Sequence, residues 1–281
     1  MTTHISPYDK HAEAESSERI IASVKDLVDN VFPLWSKNSN CLFRGQNQSS
    51  YMLIPSVLRK DDSGKELYST DAEWKMLTSF KHSVRPLLTE YPENNDDWSW
   101  LVLAQHHGLP TRLLDWSENP LQALFFAAFT PDKTDSDGKL FVLNPNKLNL
   151  DTLLHASSFD MSPDIKDAVR ESNVFPVELG LGNTAVYKEF EPRGNECVEF
   201  AIAVFATTTF NRIRAQRGAF TLHTRNYRIG SLEKQCTSFL IPASRKEVIC
   251  EELKFFGVDE ASTYVDLDRI AIRIKQEHIF T

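Results

Sequence analysis

The stretch Leu121–Phe129 would be apolar on nearly every side of a helix, with Gln122 as its single polar residue. A helix with no wet face belongs in the interior of a protein. Asn119 and Pro120 start it, Asn as the cap and Pro in the first turn. The chain must therefore surround one central helix with other elements. Its 281 residues and 41% hydrophobic content are enough to do so.

The flanking pattern supplies those elements. From Ser16 onward, Ile20, Ile21, Val24, Leu27 and Val28 recur at helical spacing. Leu42 to Gly45 reads as a short strand ending at a glycine. Asp71 to Tyr91 carries the stripe Trp74, Leu77, Phe80, Val84 and Leu87, with Pro86 predicting a break near its end. Asp97 to His107 is a further helix, stopped by Gly108 with Pro110 beyond. Gly138–Leu143, Glu199–Ala206, Ala219–His223 and Ser238–Ile241 read as strands. Arg245–Phe256 and Leu267–Lys275 read as helices, and residues 144–190 as loops with short helices. No regular strand–helix–strand alternation runs through them, so the fold class is α+β. We expect a compact mixed domain with a small, mostly antiparallel sheet and a buried central helix. Residues 1–18 form a polar lead-in, and 19–281 form one domain.

A net charge of −8 argues against nucleic acid as the main partner. Arg212, Arg214, Arg217, Arg225 and Arg228 are read as a solvated or salt-bridged surface. Cys41, Cys197, Cys236 and Cys250 match no metal spacing and are expected as reduced, buried thiols. No metal site is expected. No signal peptide or membrane-length apolar run is read, which points to the cytoplasm and to no membrane partner.

Two motifs stand out. Phe43-Arg44-Gly45-Gln46 is one, and the run from Ala104-Gln105-His106-His107-Gly108 through Thr111-Arg112-Leu113-Leu114-Asp115-Trp116 to Pro120 is the other. A later block, Arg214-Ala215-Gln216-Arg217-Gly218-Ala219-Phe220, and a tail from Glu251 to Asp268 accompany them. Together they resemble the FRG domain, from about residue 25 to 275. One departure is Val265, where the resemblance leads one to expect proline. The resemblance implies a bacterial or phage setting and leaves the chemistry open.

Arg44 at a strand end presents a rigid fork of donors to an anion, with Gly45 allowing close approach and Gln46 beside it. The alternative is a structural ion pair between Arg44 and Asp115. His106, His107, Thr111, Arg112 and Asp115 bracket a helix end and lead to a helix N-terminus at Asn119, where anions bind. The two histidines point about 100° apart, so they cannot both serve one site. Arg112 and Asp115 could instead pair with each other. Gln216 and Gly218 offer an amide and a close approach, or simply a turn.

A strand arginine, a polar middle block and a late carboxylate are similar to the arrangement in ADP-ribosyltransferases. That resemblance implies NAD as substrate, Arg44 gripping its phosphates or ribose, and a carboxylate among Glu189, Glu191, Glu196 and Glu199 stabilising the cationic sugar. The expected catalytic set is Arg44, His107, Asp115 and Glu199. The expected cofactor-binding set is Gly45, Gln46, His106, Thr111, Arg112, Gln216 and Gly218. The competing expectation is a non-enzymatic module that binds a nucleotide or another anion, with a nucleotide or a protein as the partner. A serine hydrolase built on Ser117, His107 and Asp115 is disfavoured, because no G-x-S-x-G elbow is present.

Overall fold

The computed structural model describes residues 19–155, 201–205, 219–224 and 230–263, apart from Ser39, Thr70, Glu90, Asn95 and 131–134. The expected helix at Leu267–Lys275 and the strand start at Glu199 lie outside these residues.

Two three-stranded antiparallel sheets carry the fold. In the first, β1 (Leu42–Gln46) and β6 (Cys236–Ile241) flank β3 (Gly138–Leu143). In the second, β2 (Leu113–Trp116) and β4 (Ala201–Phe205) flank β5 (Ala219–His223). The sheets meet at one corner, where Phe43 and Ser117 exchange backbone hydrogen bonds of 2.8 Å in both directions.

Strand alternation sorts the side chains into layers. Phe43, Leu140, Val142, Phe239 and Ile241 face helices α1 (Val24–Asn38), α4 (Pro120–Ala128) and α7 (Lys246–Phe255). Leu42, Phe141 and Leu143 turn the other way and share a core with Leu114, Trp116, Ala201, Ala203 and Ala219 of the second sheet. The outer face of that sheet, with Leu113, Ile202, Val204, Phe220 and Leu222, packs on α3 (Asp97–His106) and α2 (Ala72–Val84). The order is thus helices, sheet, sheet, helices. It is an α+β fold with the predicted central helix in place: Ala123, Leu124, Phe125, Ala127 and Ala128 of α4 are buried.

Close approach of α4 to the first sheet depends on two glycines. A Cβ on Gly45 would lie 1.9 Å from the Ala123 carbonyl oxygen and 2.6 Å from the Ala127 nitrogen. A Cβ on Gly138 would lie 2.1 Å from the Ala127 carbonyl oxygen. With alanines on the helix and glycines on the strands, backbone meets backbone. The expectation that Gly45 opens the chain to a ligand is therefore corrected: the space it leaves is filled by α4.

Two further elements differ from expectation. The N-terminal helix begins at Val24, not Ser16. Before it the chain is extended, and Ile21 donates to the Leu240 carbonyl at 2.9 Å, so β6 takes the hydrogen bonds a longer helix would need. Leu113–Trp116 reads in sequence as part of a turn, yet it pairs with β5 over its whole length. Residues Pro145–His155 form α5, which packs on β4. The predicted break at Pro86 is present: α2 ends at Val84 and a short 3-10 turn, Arg85–Leu87, follows. Gly108 stops α3 with a φ of +79°. Smaller elements, α6 (Ser231–Gln235) and α8 (Glu260–Thr263), complete the described chain.

Gly45→Ala should lower stability by about 3 kcal/mol or more, because the methyl meets backbone that cannot rotate away. Urea denaturation of the purified variant, or its partition into the insoluble fraction, measures this. A chain cut after residue 136 should fail to fold by circular dichroism, since β1 and β2 would lose β3 and β5 as partners.

Candidate functional site

Leu42, Arg44 and Gln46 occupy one face of β1, the face turned toward the second sheet. Leu42 is buried in the layer between the sheets, and Arg44 is half-buried beside it. The Arg44 Nη1 donates to the backbone carbonyl of Asp115 at 2.6 Å. Its Nε is buried and has no hydrogen-bond partner. Burial pulls the Arg44 pKa below its ordinary value, the charge of Asp115 opposes this, and Arg59 adds to the lowering. An arginine keeps its proton under these influences.

The expected alternative, an ion pair between Arg44 and Asp115, is replaced by a different arrangement. The Asp115 carboxylate accepts from Gln105 Nε2 at 2.7 Å. Gln105 Oε1 in turn accepts from Thr111 Oγ1 at 2.5 Å, and Thr111 Oγ1 accepts from the Leu113 N–H at 3.1 Å. A polar chain therefore runs from Thr111 through Gln105 to Asp115. It fixes the start of β2 to the end of α3 and sets the carbonyl that orients Arg44.

Arg112 lies elsewhere. Glu73 of α2 accepts from its backbone N–H at 2.7 Å and from its Nε at 2.9 Å, with both side chains buried. The Arg112 carbonyl accepts from the His223 N–H at 3.1 Å. The suggested i,i+3 pairing of Arg112 with Asp115 is replaced by this buried pair, which ties α2 to β2. Residues His106 and His107 sit at the exposed C-terminal end of α3, their rings 5.2 Å apart, with His107 6.2 Å from the Phe80 ring. Glu199, Gln216 and Gly218 lie outside the described residues, as do Glu189, Glu191, Glu196 and the arginines from 212 to 228.

Residues not singled out from the sequence complete the floor of the site. Trp116 Nε1 donates to Thr221 Oγ1 at 3.1 Å, and Thr221 Oγ1 lies 2.9 Å from His223 Nε2. Thr221 and His223 alternate with Leu222 on β5, so they face the layer that holds Arg44. Burial, reinforced by the Arg44 charge, pulls the His223 pKa from 6.5 to about 3. Only the alternation Ala219, Thr221, His223 hinted at this, because the pairing partner of the strand was hidden in an apparent turn.

The described cysteines offer no ready nucleophile. Cys41 is buried, and burial followed by the charge of Glu233 raises the Cys236 pKa. Burial also raises that of Cys250. Among the described residues, no group of three or more His, Cys, Asp or Glu side chains could hold a metal ion. Nor is any helix among them long and apolar enough to cross a membrane.

The sign of the His223 effect on stability is fixed by its depressed pKa. The unfolded chain takes up a proton on this residue near pH 6.5, whereas the folded chain does so only near 3. Between those values the unfolded state binds more protons, so acid weakens the fold. Lowering the pH from 7 to 5 should cost about 2 kcal/mol through this group alone. Urea midpoints at both pH values, for wild type and His223→Gln, measure that share, which the variant should lose.

The sequence matches the family model for the FRG domain over residues 39–136. That span holds both central motifs and ends before β3; the later blocks at 214–220 and 251–268 fall outside it. Comparison with curated proteins finds no match, and comparison with solved structures finds none. With Phe43-Arg44-Gly45 on an edge strand of the first sheet and the Gln105–Trp116 block bracing it, residues 39–136 carry the match to the FRG domain.

Proposed function

We propose that this domain binds the pyrophosphate of a nucleotide at Arg44, and that the nucleotide is NAD, used in an ADP-ribosyltransferase-like reaction. The observation that carries the reading is the state of Arg44. Its guanidinium is half-buried, is held by a backbone carbonyl rather than a carboxylate, and keeps a buried Nε without a partner. A cation so placed is oriented by a carbonyl and only partly offset by the Asp115 charge, which favours an anionic ligand. The nearest acid in the motif, Asp115, is engaged by Gln105 and leaves the fork open.

In the transferase reaction the bond between the nicotinamide nitrogen and the ribose breaks, nicotinamide leaves with the electron pair, and water or a target side chain attacks the sugar. Arg44 would hold the phosphates, and a carboxylate such as Glu199 would stabilise the cationic sugar. His107, His106, Asp115, Gln46 and Thr111 remain proposed neighbours of the reaction, with Gln216 and Gly218 supplied by the third block. We place the protein in the bacterial cytoplasm as a defence or toxicity effector. We also take 19–281 as one domain, because β1 and β2, inside the matched span, form their strand ladders with β3 and β5, beyond it.

The same Arg44 geometry supports a module that binds the nucleotide without turning it over. Product formation separates the two. Purified protein should bind NAD, release nicotinamide and lose binding about 10- to 100-fold in Arg44→Ala, the effect of one charge-assisted contact. Arg44→Lys should recover only part of the loss, since it keeps the charge and drops the fork. Calorimetric binding with no nicotinamide release favours the module. Equal affinity of wild type and Arg44→Ala defeats both.

A further inference from the structure

The loop after β1 brings a second arginine to the same place. A 3-10 turn, Ser56–Leu58, is held on the residue that leads the chain into β2. The Val57 N–H donates to the Thr111 carbonyl at 3.2 Å, and the Thr111 N–H donates to Ser56 Oγ at 3.1 Å. Arg59 follows that turn directly. Its N–H donates to the Ser56 carbonyl at 3.4 Å, and its carbonyl accepts from the Leu67 N–H at 3.3 Å. Its Nε donates to the Ile54 carbonyl at 3.4 Å, which draws the side chain back over the turn. Arg44 joins the same stretch of chain at the Asp115 carbonyl. Both arginines thus converge on Thr111–Asp115, and their charges are close enough to act on one another.

The two cations are held alike. Each guanidinium is oriented by a neutral backbone carbonyl, and among the described residues no carboxylate forms an ion pair with either. Arg44 is half-buried and Arg59 is exposed. Like charges brought together without a paired anion repel. The Asp115 carboxylate, engaged by Gln105, offsets Arg44 only in part. An anion held by both guanidinium groups removes the repulsion and gives each a charged acceptor.

We infer that Arg59 is the second phosphate anchor of the Arg44 site, so that the site takes two linked phosphates, one on each guanidinium. This rests on the reading of Arg44 as an anion site and adds to it a residue from outside both motifs. Charge distribution selects the ligand class. A pyrophosphate diester carries one charge on each phosphate, whereas a monoester carries close to two charges on a single phosphate. Two separate cations match the first distribution.

Calorimetric titration of the full chain with ADP-ribose and with AMP tests the assignment. The two ligands share adenosine and carry similar net charge at neutral pH, spread over two phosphates in one and held on one in the other. Wild type should bind ADP-ribose about tenfold more tightly than AMP, the effect of one charge-assisted contact. Arg59→Ala should erase most of that preference. Arg59→Lys, which keeps the charge without the fork, should recover part of it and repeats the contrast if the alanine variant melts early in a thermal scan. Equal affinity of wild type for the two ligands, or an undiminished preference in folded Arg59→Ala, overturns the inference; the anion reading stands in that case if Arg44→Ala still weakens both ligands. If wild type binds neither ligand, both readings fall. If Arg44→Ala leaves both affinities intact while Arg59→Ala removes the preference, the reading of Arg44 falls alone.

Discussion

Everything in this fold is positioned by the seating of α4 on the first sheet. Gly45 and Gly138 on neighbouring strands remove the two side chains that would hold the helix away, and Ala123 and Ala127 bring its backbone into the gap. Contacts of this kind gain dispersion energy over a broad surface and tolerate no added methyl. Because α4, together with α1 and α7, covers that face, alternation sends Arg44 and Gln46 to the opposite one, into the layer between the sheets. The glycine in Phe43-Arg44-Gly45 thus serves packing, and the arginine before it inherits a fixed direction.

The longer motif works as bracing for that direction. Gln105 ends α3, Thr111 turns the chain, and Asp115 sits on β2; their side chains form one hydrogen-bonded chain. Arg112 closes the same turn from beneath through Glu73, in a buried pair whose loss of one partner costs about 3–5 kcal/mol. Thr111, Arg112 and Glu73 are buried polar residues that satisfy one another or their neighbours, while Gln105 and Asp115 extend the chain toward the surface. Their common output is the Asp115 carbonyl that receives Arg44.

Periodicity made much of the fold legible before any coordinates. The all-apolar run at 121–129, the stop at Gly108, the break at Pro86 and the strand at Gly138–Leu143 each follow from local chemistry, and the structure has all four. The strand Leu113–Trp116 was hidden, because four residues beside Gly-Leu-Pro-Thr look like a turn until β5 pairs with them. Missing it hid the second sheet, and with it Thr221 and His223 as neighbours of Arg44. Glu73 was equally illegible: an acid on an amphipathic helix reads as solvated, and only the distant Arg112 makes it a core residue. Arg44 was the residue most readable as a site, though its partner on Asp115 is the carbonyl and not the carboxylate.

The central claim is that Arg44 is an oriented cation awaiting an anion. A crystal structure of the chain grown with NAD tests this most directly. The account predicts pyrophosphate oxygens within about 3 Å of the Arg44 guanidinium, with Nε among the donors. Arg44 turned onto the Asp115 carboxylate, with NAD absent from that layer or bound elsewhere, would contradict it.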